Sequence, residues 1–214
     1  MDSNDKFLRN KCKQFDVDYA LAKKLKTRVF PLLEEAHRQG YQFDKAFLEK
    51  RKGTEIRLAN SAMIQQILGK LDPKVFSRRE RGIIALHLEY LSLFEGYYAP
   101  QVNFLVFSLI QNGHALHSPF HRKNVKKLDE IEEVRFSLKL KFLRKHGFAI
   151  VANKSNTRLR NSVAHLFYYV DDDGTIRYDN LEITKDEYEE LYDKLRNVSF
   201  GLHLVTLTFY RRFA

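Results

Sequence analysis

Over residues 77–113 the chain runs through "RGIIALHLEYLSLFEGYYA" and then "QVNFLVFSLIQNG", two segments with apolar side chains on nearly every helical face. A helix of that kind cannot lie on a surface. It must sit at the centre of a bundle or be covered by another subunit. Ser77 followed by Glu80 supplies a capping box to start the first segment, Pro100 marks a break before the second, and Gly113 stops it. The rest of the chain must then provide amphipathic partners.

Those partners are legible on both sides. Residues 6–70 read as helices with basic exposed faces: Leu21, Leu25, Val29, Leu32 and Leu33 recur at helical spacing, Pro31 is expected to kink or divide the run, and Gly40 to end it. "ANSAMIQQILGKLDP" predicts a further amphipathic helix closed by Asp72-Pro73. Residues 125–145 predict one charged helix with the stripe Leu128, Ile131, Val134, Leu138 and Phe142, ended by Gly147, and "HALHSPFHRKN" before it reads as a loop. "FYYV" and "TIRY" flank Asp172-Asp173-Gly174, the signal of a short β-hairpin. Leu191, Leu195, Val198, Leu202, Val205 and Phe209 then form the seam of a long terminal helix. The expected architecture is mainly α: an N-terminal helical extension over residues 1–75 and an up-and-down helical bundle over 76–214, with the hairpin inserted before the last helix.

Composition narrows the setting. A chain of 214 residues with 44% hydrophobic content can bury a core, which excludes disorder. Cys12 is its one cysteine, so no internal disulfide forms, as expected in a reducing compartment. "MDSNDKFLRNKCKQF" lacks the apolar core of a signal peptide, and no apolar run approaches the roughly 18 residues of a membrane span, so the expectation is a cytoplasmic protein with no membrane partner. The formal charge of +10 favours polyanionic partners, RNA or DNA first among them.

The stretch "SNTRLRNSVAHLFYYV" concentrates chemistry. Ser155, Asn156 or Thr157 is expected to cap a helix that carries Arg160, Asn161 and His165 in its first turns, where free backbone amides favour a phosphate. Asn161 and His165, four apart, share a face, and Arg158 joins that face if the helix begins by Asn156, so spacing alone does not choose between the two arginines. Arg81 with His87 and Arg196 with His203 repeat the Arg-to-His spacing but lie in apolar or seam surroundings, where a core imidazole is the expectation. His114, His117 and His121 read as an exposed loop rather than a metal site, and Asp171, Asp172 and Asp173 as a solvated turn rather than a calcium loop. Glu89 and Glu95, in the apolar helix, read as buried carboxylates for Arg or Lys partners, with Glu95 a supporting site residue. No phosphate-binding Gly loop, nucleophile elbow or zinc-ligand spacing occurs.

This chemistry suits RNA cleavage without metal or cofactor. The 2′-hydroxyl attacks the adjacent phosphate if a base takes its proton, an acid protonates the departing 5′-oxygen, and a cation stabilises the phosphorane. An imidazole titrates near neutrality, and a guanidinium grips phosphate oxygens in two-pronged fashion. One histidine per cluster and two proton transfers argue for a two-fold dimer.

"RNSVAH", entering a helix followed by an acidic Gly turn and a final long helix, resembles the signature of the HEPN (higher eukaryotes and prokaryotes nucleotide-binding) superfamily, whose ribonuclease members carry Arg, four to six residues, then His. Their preference for Asn, Asp or His directly after the Arg selects Arg160 over Arg158. The resemblance implies a helical bundle over residues 76–214 that dimerises with its motifs facing each other. It also implies metal-independent endoribonuclease activity in toxin, antiviral or RNA-processing systems, with an antitoxin or regulatory protein as a further partner. A toxin subgroup carries Tyr two residues after the His, where this chain has Phe167, so regulation through that tyrosine is not implied. Two rival expectations are a non-catalytic nucleic-acid- or nucleotide-binding module of the same fold and a helical interaction protein.

Overall fold

The computed structural model describes residues 3–39, 77–118, 123–164, 168–178 and 181–212. The helix expected over 59–73, together with Gly40, His121, His165 and Phe167, lies outside them. The described chain is mainly helical, with a small antiparallel sheet. Helices α1 (Ser3–Gln14) and α2 (Tyr19–Arg38) are followed by α3 (Arg78–Leu93), a π-helical turn (Phe94–Tyr98) and α4 (Ala99–Gln111). A two-residue pairing of β1 (His117–Ser118) with β2 (Lys123–Asn124) closes the loop before α5 (Leu128–Glu133), α6 (Phe136–Lys145) and α7 (Lys154–Ala164). Strands β3 (Tyr168–Val170), β4 (Ile176–Tyr178) and β5 (Leu181–Ile183) form a sheet in that order, and α8 (Lys185–Tyr210) ends the described fold.

The second apolar segment is central, whereas α3 buries one face only, through Ile83, His87, Tyr90 and Leu93. Every residue of α4 from 101 to 109 is buried, and the helix packs against α2, α5, α6 and α8. Ser77 accepts from the Glu80 amide while the Glu80 carboxylate accepts from the Ser77 amide, which completes the capping box at the start of α3. The seam of α8 faces α2: Leu195, Leu202, Val205 and Phe209 are buried with Leu25, Val29 and Leu33, and the Phe30 and Phe209 rings meet edge-on at 5.5 Å. Gly201 makes the approach close, because a Cβ there would stand 3.0 Å from Leu25 Cδ1. Helix α1 also packs on α2 and α8 through Leu8 and Cys12, whose thiol is pushed up to about 11 by burial and by the nearby Asp18 charge. Among the described residues no helix is long and apolar enough to cross a membrane.

Several local expectations change. Pro31 lies inside α2 without dividing it, since the helix runs on to Arg38. Pro100 sits in the first turn of α4, and the chain passes from α3 to α4 through the π-turn instead of a break. The helix expected over 125–145 is two helices: Val134 and Arg135 are extended (ψ 134° and 131°), Ile131 and Val134 are buried, and Lys139 Nζ donates to the Glu132 carbonyl at 3.4 Å. Gly147, at φ 86°, ends α6 in the left-handed conformation that favours glycine. The hairpin around Asp172-Asp173-Gly174 is present, with Asp173 accepting from the Thr175 amide and Arg79 donating to the Asp171 and Asp172 carbonyls, but the sequence reading missed its third strand, β5.

Candidate functional site

Helix α7 begins at Lys154, before Ser155, Asn156 and Thr157, so none of these three is its N-cap. Leu159 and Val163 are its anchors, both fully buried where α7 packs against α3, α6 and α8. With that face committed to the core, Arg160 and Asn161 project into a cleft of about 310 Å³ and Arg158 is exposed to solvent, outside the cleft lining. The helix therefore separates the two arginines that spacing alone had left equivalent.

Glu95 reaches the same cleft from the π-turn. There Ala99 N–H donates to the Phe94 carbonyl five residues back, which inserts one residue into the α3–α4 helical path and re-aims the side chains that follow. Arg160 donates to a single Glu95 oxygen from both Nε (2.7 Å) and Nη2 (2.6 Å), and Nη1 donates to Asn161 Oδ1 at 3.2 Å. Glu95 is not the buried carboxylate expected: its side chain is 41% exposed and the guanidinium's 38%, so the pair sits at the cleft mouth.

Lys139 and Asn103 form the inner part of the cleft. Lys139 is 3% exposed and donates to Asn103 Oδ1 at 2.9 Å as well as to the Glu132 carbonyl. Thr157 lies one turn before Asn161, its buried Oγ1 without a hydrogen-bond partner. Phe94, Ala99, Pro100, Val134 and Phe136 complete an apolar wall, with Phe136 packed on Phe94 at 5.1 Å and on Tyr98 at 5.8 Å. Sequence reasoning missed Lys139, Asn103 and Thr157. The one visible signal was Asn103, an amide inside the apolar run "QVNFLVFSLI".

His87, His114, His117 and His203 are not among the residues that line this cleft. His87 is 2% exposed, shares a 2.7 Å hydrogen bond between Nε2 and the Tyr178 hydroxyl, and lies among the Tyr168, Tyr178 and Tyr188 rings, a core imidazole as expected. Burial pushes its pKa down to about 4. His203 meets the Tyr97 ring, and Arg196 donates to the Phe15 carbonyl and to Asp16. His114 and His117 are exposed, and the His114 ring lies 4.2 Å from that of His146. Among the described residues no group of three or more His, Cys, Asp and Glu side chains is arranged to hold a metal ion.

The cleft thus offers two cations, two carboxylates, two amides and an apolar wall within one chain. The carboxylates balance the cations, so the cleft presents polar groups of both signs beside its apolar wall. Comparison of the chain with protein-family models, with curated proteins and with solved structures finds no match in any of the three.

Proposed function

We propose that the chain is a metal-independent endoribonuclease of HEPN type, acting as a homodimer in a toxin or antiviral defence setting. The convergence of Arg160, Asn161 and Glu95 on one polar cleft carries the reading, since these residues come from two separate elements and include the arginine that the motif selects. Arg160 stabilises the phosphorane, Asn161 orients the imidazole or binds phosphate, and His165 transfers protons. The ribose 2′-oxygen bonds to phosphorus as its proton passes to one imidazole. The phosphorus–O5′ bond breaks, and a second imidazolium protonates the leaving oxygen. The products are a 2′,3′-cyclic phosphate and a 5′-hydroxyl end. Two imidazoles require two chains, so the site is composite.

A non-catalytic nucleotide-binding module is the second reading. It is favoured by the cations, amides and apolar wall that a single chain brings to the cleft. Single-stranded RNA incubated with the full chain in EDTA and resolved on a gel separates the two. Cleavage is expected, falling by about a hundredfold or more in His165→Ala, the usual scale for losing an acid–base group. Undiminished turnover by His165→Ala would refute the assignment, and RNA bound but intact with the unsubstituted chain would establish the module.

A further inference from the structure

Both backbone irregularities described in the helical framework face the same cleft. The π-turn contributes Phe94 and Glu95, with Ala99 and Pro100 directly after it; the α5–α6 break contributes Val134, with Glu132 before it and Phe136 and Lys139 after it. The α5–α6 break is not demanded by composition, because no Pro or Gly interrupts "IEEVRFSLKL", whereas Gly96 lies within the π-turn and Pro100 directly after it. A regular helix through the α5–α6 break would gain backbone hydrogen bonds, and departures of this kind, π-turns included, concentrate at ligand sites. Their joint effect is to open a cleft and set a lysine in it. A buried ammonium is expensive unless its donors are satisfied; here Asn103 and the Glu132 carbonyl hold it in a fixed position. The volume, about 310 Å³, is at the small end of ligand pockets and fits one nucleotide unit, not a duplex.

We propose that this cleft binds a single phosphate-bearing nucleotide unit, with the phosphate between the Lys139 ammonium and the Arg160 guanidinium and the base against the Phe136 and Pro100 wall. Glu95 and Glu132, the carboxylates of the same cleft, disfavour a bare anion and leave the base contact to complete the affinity. The inference rests on the preceding reading only in taking the natural ligand to be a nucleotide of RNA. Lys139 becomes a substrate-contacting residue that the motif does not include.

Calorimetric titration of the full chain with a nucleoside 3′-monophosphate and with inorganic phosphate tests the proposal, with RNA cleavage followed in parallel. Saturable nucleotide binding is expected, weakened about tenfold or more in Lys139→Met, the scale of one charge-assisted contact. Lys141→Met, which removes an exposed lysine of the same helix, should leave it within about twofold. Ala99→Phe fills the cleft without touching a charge and should also block binding, which keeps the test decisive if Lys139→Met does not fold. Equal losses from Lys139→Met and Lys141→Met, binding that survives Ala99→Phe, or inorganic phosphate binding as tightly as the nucleotide would each overturn the proposal. Lys139-dependent nucleotide binding without RNA cleavage upholds the cleft and defeats the nuclease reading. RNA cleavage without nucleotide binding does the reverse.

Discussion

At the scale of the residue, the site turns on how one guanidinium is shared. Arg160 presents Nε and Nη2 to the same Glu95 oxygen, so an incoming phosphate competes with a carboxylate for those donors. Both side chains are partly exposed, and such a pair contributes at most about 1 kcal/mol to folding. Glu95→Gln keeps an acceptor and removes the charge. RNA affinity measured by fluorescence anisotropy should rise about threefold, with stability nearly unchanged; weaker binding would mean that Glu95 positions Arg160 and does not compete for it. His87 makes a different prediction. Its pKa in the fold, about 4, lies below the ordinary 6.5, so the unfolded chain takes up a proton first as pH falls. Stability is therefore full above about 6.5 and is lost down to about 4, by on the order of 3 kcal/mol from this group. In His87→Leu, urea denaturation at pH 7 and pH 5 should show a smaller difference than in the parent chain. An unchanged difference would assign the acid sensitivity elsewhere.

At the scale of the element, the legible features were those with local causes. The Ser77–Glu80 box, the glycine stop at 147, the turn at Asp172-Asp173-Gly174 and the seam of α8 each follow from residues a few positions apart, and each is present. The interruption at Pro100 was legible although its π-turn form was not, and the α5–α6 break was hidden because its causes are tertiary. Phe136 packs on Phe94 and Tyr98, and Lys139 reaches back to a carbonyl seven residues earlier and across to Asn103 on α4. Lys139 reads as an ordinary surface lysine in "SLKLKFLRK", since nothing local shows which of its charges points inward. Arg160 was separable from Arg158 by sequence only through the motif, whereas the burial of Leu159 and Val163 separates them physically. Asn161 and Glu95 were named in advance, yet a separation of 65 positions between Glu95 and Arg160 kept their pairing out of reach of any periodicity.

At the scale of the whole molecule, the proposed chemistry sets an assembly requirement. One motif histidine per chain and two proton transfers per cleavage mean that two chains must meet. Sedimentation should therefore give a species of twice 25.3 kDa, and cleavage per chain should fall on dilution through its dissociation range. Full turnover by a monomer would rule out the composite site. The pairing of α2 with α8 has a consequence of another kind. The seat for Leu25, Val29 and Phe30 is built by Gly201, Leu202 and Phe209, so during synthesis on the ribosome α2 emerges long before the surface that receives it. Its apolar stripe must wait, shielded by chaperones or by transient collapse, until translation has delivered α8.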